Sequence, residues 1–300
     1  MVNPRLAPDA YTVGWICALP LELAAAKLMI KEPHNPLDSQ PASDHNIYTL
    51  GRIGRHSVVF LCLQTGVYGT TSAATAVAHM NSTFRNIRFG LMVGIGGGVP
   101  TMADVRLGDV VVSKPTGAFG AIVQYDSGKS LPNGVFKQTG SLGQPPSLLL
   151  KAMSELDSNP TSTGGQSLFR RPQHDWLFEI GHDHESDHAE WSACDQSNLL
   201  KRPVRPSDGL MIHYGPVASG NQVIKDLNIR DKVARDLGAI CFEMEAAGIM
   251  EERASLVIRG ISDYCDSHKN KQWQGYAALV AAAYAKQILS IVPVAELRER

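Results

Sequence analysis

Two short stretches of this chain concentrate ionisable groups where apolar runs end. Cys241-Phe-Glu-Met-Glu-Ala-Ala-Gly248 carries Glu243 and Glu245, and Val257-Ile-Arg-Gly-Ile-Ser-Asp263 carries Arg259 and Asp263. The carboxyl ends of strands are where open α/β sheets gather their chemistry. A cation such as Arg259 inside an apolar run needs a buried counter-charge. Residues two apart point in different directions on a helix, so the spacing of Glu243 and Glu245 predicts that only one of them faces a given pocket. Glu22, two residues past Pro20, sits in the first turn of a predicted helix. Taken alone, its carboxylate is explained by the helix dipole. Taken with Glu245, Arg259, Asp263 and the run Gly94-Ile-Gly-Gly-Gly98, it belongs to a pocket for a neutral substrate, or for one that develops positive charge.

The glycine run follows a predicted strand and reads as a turn whose bare backbone at Gly94, Gly96 and Gly97 can touch a ligand. It is not a dinucleotide fingerprint, because no helix follows, and it lacks the Gly-Lys-Ser/Thr of a phosphate loop. Ser219-Gly-Asn-Gln-Val-Ile224 reads as a strand-to-helix turn in which Val223 and Ile224 can pack on a flat base or simply join the core. Lys269 and Lys271 are placed either to meet phosphate at the pocket mouth or to serve as an ordinary solvated turn. His182, His184, His188 and Cys194 match no standard zinc spacing, so neither metal nor cofactor is expected. Trp176, Trp191 and Trp273 read as packing anchors.

The elements that must hold these groups alternate between strand and helix. A strand-like run at Tyr11 to Leu19 leads into a helix at Leu21 to Ile30. Ile47 to Ile53 and Ser57 to Gln64 form a predicted hairpin across Gly54-Arg55, followed by a helix at Ala73 to Met80. Strands are predicted at Phe89 to Val93, Asp109 to Ser113, Gly238 to Phe242 and Leu256 to Ile261, with helices starting at Ala246 and running from Tyr276 to Ser290. This alternation predicts one α/β domain over residues 1–300 with a mixed, partly parallel sheet. An irregular excursion at about 159–208, rich in Pro, Ser, His and charge, interrupts it.

With 300 residues, 44% of them hydrophobic, the chain can bury a large core. Its 28 basic and 29 acidic residues leave no field to gather nucleic acid or an anionic membrane. No run of eighteen uncharged apolar residues occurs, so no membrane span is expected. Five widely spaced cysteines suit reduced thiols in an intracellular, cytoplasmic protein.

The ordered set Ala18-Leu-Pro-Leu-Glu22, Gly94 to Gly98, Ser219-Gly-Asn221, Glu243-Met-Glu245 and Arg259-Gly-Ile-Ser-Asp263 resembles the nucleoside phosphorylase and nucleosidase superfamily. It looks most like the purine and uridine phosphorylase-type domain at the amino end of fungal immune-receptor-like proteins. The resemblance implies a three-layer α/β/α fold that cleaves the bond between ribose and a nucleobase. It implies Asp263 as the acid at the base, Glu245 and Met244 at the ribose, Glu22 as the base that activates water, and Arg259 orienting both. Asn221, Val223 and Ile224 complete the pocket. Phosphorylases of this family hold phosphate with Arg and Ser in Arg-Val-Gly-Ser, where this chain has Met92-Val93-Gly94-Ile95. Glu22 would moreover repel phosphate, which favours hydrolysis. The expected partner is a small purine nucleoside or nucleotide. Adenosine or an adenine nucleotide, ATP included, would release adenine, with Lys225, Lys269 or Lys271 as phosphate contacts. The family alternatives are a phosphate-dependent phosphorylase and a nucleoside-binding module without turnover. A homodimer is expected, and the polar C-terminal stretch suits either a natural terminus or a longer parent chain with further domains.

Overall fold

The computed structural model describes residues 3–132, 136–139, 142–158, 171–179, 195–205, 209–269 and 271–294. Its first half contains β1 (Val13–Cys17), α1 (Pro20–Lys27), β2 (Glu32–Pro33), β3 (Tyr48–Ile53), β4 (His56–Cys62), α2 (Thr70–Thr83), β5 (Phe89–Gly98) and β6 (Val110–Ser113). There follow β7 (Ile122–Gln124), β8 (Gly128–Ser130), β9 (Phe136–Gln138), α3 (Ser147–Asp157), β10 (Ile212–Gly215) and β11 (Val217–Ser219). The chain closes with α4 (Leu227–Leu237), β12 (Cys241–Glu243), α5 (Ala246–Glu252), β13 (Ser255–Asp263) and α6 (Gln274–Ile291).

Eleven strands form one sheet with the main order β10-β6-β13-β5-β1-β4-β3-β2, while β12, β11 and β7 extend from the far end of β5. β1 pairs in parallel with both β4 and β5, and β13 is parallel to β5 but antiparallel to β6. The expected hairpin is present, with β3 antiparallel to β4 across Gly54 at φ 58°. Val13, Trp15 and Cys17 face the cluster that α1, α3 and α6 cover, whereas Ile16 faces the one covered by α2 and α5. Alternate residues of one strand thus feed both cores, which makes a three-layer α/β/α arrangement around a mixed sheet. α4 packs on the sheet's extension through Ala234 and Leu237 beside Val123, Ala218 and Phe242. Among the described residues no helix is long and apolar enough to cross a membrane.

The glycine run departs from expectation. Gly94 to Gly98 is no turn but the second half of β5, laddered to β13 through Gly97 and to β12 at Gly97 and Gly98. Its glycines are demanded by neighbours rather than by backbone angles. A Cβ on Gly94 would collide with Glu22 Oε1 and come within 2.5 Å of Arg259 Nη1, and one on Gly97 would strike Cys265 Sγ. Because β1 last pairs with β5 at Met92, the glycine half keeps β13 and β12 as neighbours but runs on past the end of β1, where a crevice opens.

The excursion, as far as it is described, has only a 3-10 turn at Gln196–Asn198 and the bridge between Phe178 and Leu199. It is nevertheless docked. Phe178 stacks on His268 at 3.9 Å, and Trp273, fully buried, donates from Nε1 to His174 O at 2.9 Å. Trp176 packs edge-on against Phe178, so these two tryptophans are packing anchors. Trp191, His182, His184, His188 and Cys194 lie outside the described residues. Cys17, Cys62, Cys241 and Cys265 are free thiols.

Candidate active site

At the carboxyl ends of β1, β12 and β13, beside the glycine half of β5, lies a cavity of about 300 Å³. Glu22, Glu243, Met244, Glu245, Arg259, Asp263 and Lys269 line it, together with Ile95, Gly96, Gly97, Phe242, Val223 and Ile224. Four carboxylates from three distant stretches therefore meet two cations in one crevice.

Glu22 is both the helix cap and a wall of the cavity. Pro20 opens α1, and Glu22 in the first turn reaches back so that Oε2 accepts the backbone N–H groups of Ala18 at 2.7 Å and Leu19 at 3.0 Å. Its Oε1 accepts the Ile95 N–H at 2.8 Å and lies 3.9 Å from Arg259 Nη1. Burial raises its pKa above the ordinary carboxylate value, while Arg259 and the three N–H groups oppose that rise. A carboxylate so poised is a better proton acceptor than a solvated one.

Arg259 is the hub. Its side chain is 1% exposed, and Nη2 meets Glu243 Oε2 in a short contact and Glu245 Oε2 at 3.5 Å. Burial works against the charged guanidinium, but Glu243, Glu22 and Glu245 overcome it and raise its pKa. The cation predicted to need a partner has three.

Both Glu243 and Glu245 face the cavity, which corrects the expectation that only one would. They span the end of β12 and the start of α5, and Glu245 is the N-cap at φ −124° and ψ −28°, so helical geometry does not separate them. Glu243 Oε2 accepts the N–H groups of Glu245 at 3.1 Å and Ala246 at 2.9 Å. Its Oε1 is buried with no hydrogen-bond partner. Burial and then the Glu243 charge push Glu245 up from 4.5 to about 7. Glu243 is thus a site residue that the two-apart reasoning set aside, although its position at a strand end was the available signal.

Asp263 is aimed by an irregularity in β13. The register with β5 shifts between Ile261 and Asp263, a bulge that re-aims the side chain beyond it. Oδ2 accepts from Ser262 Oγ at 2.9 Å and lies 3.2 Å from Lys269 Nζ, and Oδ1 accepts the Cys265 N–H at 3.0 Å. Cys265 delivers that N–H from φ 53°, the one positive φ at a non-glycine among the described residues. Strain of this kind persists where surrounding structure enforces it. The charge of Asp263 in turn raises the pKa of Lys269.

Four expected residues stand elsewhere. Gly94 packs behind Glu22 and Arg259 and does not line the cavity. Asn221 is exposed and clamps the loop instead: Oδ1 accepts the Thr70 N–H at 3.0 Å, while its own N–H donates to Asp126 at 2.8 Å. Lys225 and Lys271 are exposed and outside the wall, because each side chain leaves its turn on the solvent side. Lys269 does line the wall, yet its ammonium faces Asp263. Val223, 54% exposed, and the buried Ile224 give the cavity apolar lining together with Phe242, which shares a packed cluster with Ile224. Phe242, Cys265, Tyr68 and Ile95 also line the cavity, and sequence reasoning named none of them as walls.

A deep carboxylate cluster at strand ends of a three-layer α/β/α sheet defines a small-molecule site rather than a macromolecular one. The Phosphorylase superfamily model matches residues 12–292, and the chain belongs to that superfamily. It is 46% identical over 97% of its length to a nucleotide-binding leucine-rich repeat-like protein of Hyaloscypha variabilis, of which it spans 30%. It is 24% identical over 95% of its length to a 5'-methylthioadenosine/S-adenosylhomocysteine nucleosidase of Mycobacterium bovis, covering 98% of that protein. Identity is also 24% with the ATP nucleosidase Cap17 of Escherichia coli, over 89% of this chain and 48% of that protein. Among solved structures, a Neisseria meningitidis 5'-methylthioadenosine/S-adenosylhomocysteine nucleosidase in complex with methylthio-immucillin-A superposes with TM-score 0.63 at 15% identity, covering 93% of this chain and 98% of that one.

Proposed function

We propose that this chain is a purine N-ribosyl hydrolase that releases adenine from adenosine or an adenine nucleotide, ATP foremost among the nucleotides. The observation that carries hydrolysis is the position of Glu22. The backbone N–H groups of Ala18, Leu19 and Ile95 converge beside Arg259, an arrangement suited to an anion, but the Glu22 carboxylate already accepts from all three. A phosphate would have to displace a fixed, buried charge of its own sign.

In the proposed reaction a water oxygen bonds to the anomeric carbon, the bond to the base nitrogen breaks, and the base leaves with a proton. Glu22 takes the proton from the water. Arg259 holds Glu22, Glu243 and Glu245 in place through its ion pairs. Glu245 accepts from the ribose hydroxyls and offsets the positive charge that grows on the sugar. The unpartnered Oε1 of Glu243 is a second acceptor for a sugar hydroxyl or for the water. Asp263 takes up a proton from solvent and passes it to the base nitrogen that faces it, while Phe242, Val223 and Ile224 enclose the base. An acid and a base on opposite sides of a sugar follow the logic of inverting glycoside hydrolysis.

The names of the Mycobacterium bovis and Escherichia coli relatives support a purine nucleosidase, and the latter supports ATP. The cavity's own charge sets a condition on a triphosphate. Its two cations already face carboxylates, so the 5' tail leaves through the open side near Tyr68 and Val223. The test is to incubate purified protein with ATP, AMP, adenosine and methylthioadenosine, with and without phosphate, and quantify adenine by chromatography. Adenine formed only with phosphate present would replace the hydrolase by a phosphorylase.

A further inference from the structure

The proposed hydrolysis asks Asp263 to gain a proton in every turnover, although its side chain is 4% exposed. Each group bonded to it is a donor. Ser262 Oγ at 2.9 Å and Lys269 Nζ at 3.2 Å meet Oδ2, and the Cys265 N–H meets Oδ1 at 3.0 Å. Donors on every side suit a carboxylate, which only accepts. Of the three, Lys269 alone reaches solvent, its side chain being 33% exposed while Ser262 and Cys265 are 2% and 4% exposed. An ammonium has three N–H groups, and among the described residues Asp263 is the one side chain that accepts from this one. The turn behind the pair is fixed: Arg230 Nη1 donates to Tyr264 O at 2.8 Å, Asp266 Oδ1 accepts the His268 N–H at 3.1 Å, and the Lys269 N–H donates to Asp266 O at 3.4 Å.

We infer that Lys269 supplies Asp263 with the proton that the departing base takes, as a positioning residue that acts on the substrate through Asp263. The inference rests on the hydrolase reading above. As the bond to the base breaks, its electron pair goes to the base, a proton moves from Nζ to Oδ2, and the base nitrogen takes that proton from Oδ2. The base leaves neutral, Asp263 returns to a carboxylate, and the Lys269 amine regains its proton from solvent. Ser262 accommodates both states of Oδ2, because its single hydroxyl hydrogen can point to Oδ2 at 2.9 Å or to Gly96 O at 3.5 Å. With the hydrogen turned to Gly96, Ser262 Oγ accepts from a protonated Oδ2. The charge of Asp263 raises the pKa of Lys269, so the ammonium is loaded at neutral pH. The other titratable groups around the pair are Asp266 in the same turn, Arg230 from α4 and the thiols of Cys241 and Cys265. Burial pushes both thiols up and holds them protonated, while burial and then the Asp263 charge push Asp266 up to about 6.

The test is run at about pH 8, where Asp266 is charged and the thiols are not. Lys269→Arg keeps a cation beside Asp263 but holds its proton too tightly to pass it on. Adenine release from adenosine should fall about 10²-fold, the lower end of what a general acid supplies, with KM little changed. Lys269→Ala should fall at least as far and regain rate when ethylammonium is added, whereas tetramethylammonium, a cation without an N–H, should leave it unchanged. A merely structural ion pair predicts the reverse, since Arg preserves the pair and either cation fills the gap. Circular dichroism and melting temperature check the fold of each variant. A Lys269→Arg rate within a fewfold of an active wild type, or equal rescue of Lys269→Ala by the two cations, overturns the inference and leaves the hydrolase reading standing. Absence of adenine release by the wild type itself removes that reading, and this inference with it.

Discussion

Removal of the Glu22 carboxylate is the perturbation that separates the proposed chemistry from its alternatives. Glu22→Gln keeps the shape of the side chain but cannot take a proton from water. A positioned general base contributes about 10² to 10⁴ in rate, so adenine release should fall by that factor while substrate affinity changes little. Glu22→Ala goes further, because it vacates the N–H groups of Ala18, Leu19 and Ile95, now bonded at 2.7, 3.0 and 2.8 Å. Left dry, each unpaired donor would cost on the order of 1–3 kcal/mol. The space left adjoins the open cavity, so water can enter and the variant should fold. Three free donors beside Arg259 then form the anion seat that the wild type fills for itself. Glu22→Ala should therefore release adenine faster when phosphate is added, with ribose 1-phosphate as the co-product, while the wild type shows no such dependence. The assay is chromatography of adenine together with phosphorus NMR of the sugar product. Adenine release by Glu22→Gln within a fewfold of the wild-type rate would refute the role given to this residue.

Asp263→Asn should bind adenosine yet lose adenine release by about 10² to 10⁴, as removal of a general acid does; undiminished turnover in a steady-state assay would exclude Asp263 as the acid. Glu245 has a pKa raised from 4.5 to about 7 and must be charged to stabilise the sugar, so kcat/KM should rise with pH through about 7. Glu243→Gln removes the neighbouring charge and should move that limb to lower pH, which a pH–rate profile reads directly. The same raised pKa has a stability sign. Its contribution is fully present below 4.5 and is lost as pH rises through about 7, by roughly 3 kcal/mol at the upper bound. Denaturant titrations from pH 5 to pH 8 should therefore show a smaller decline in Glu245→Gln than in the wild type. Gly94→Ala should abolish activity and lower the melting temperature although Gly94 lines no cavity, since its Cβ would collide with Glu22 Oε1; a variant of normal stability and activity would contradict the packing described.

Much of the fold was legible because it rests on local patterns. The apolar runs around Val13–Cys17 and Ser255–Asp263, the Pro20 start of α1 and the alanine-rich α6 each carry their own periodicity or punctuation. The glycine run misled for a physical reason: glycine marks a turn when the backbone needs unusual angles, but it marks a strand when neighbouring side chains need room. Only the neighbours decide between the two. Gly94 to Gly98 belongs to the second case, and its neighbours Glu22, Arg259 and Cys265 lie far away along the chain.

By itself the sequence determined the α/β class, the order of the elements and the residue types able to do acid–base work at strand ends. Residue type and short-range spacing suffice for those features. Tertiary structure decided which groups share one dielectric environment. It brought Glu243 alongside Glu245 around Arg259, turned Lys269 onto Asp263, and left Lys225, Lys271 and Asn221 outside the wall. Charge interactions depend on distance and burial in space, and separation along the chain encodes neither.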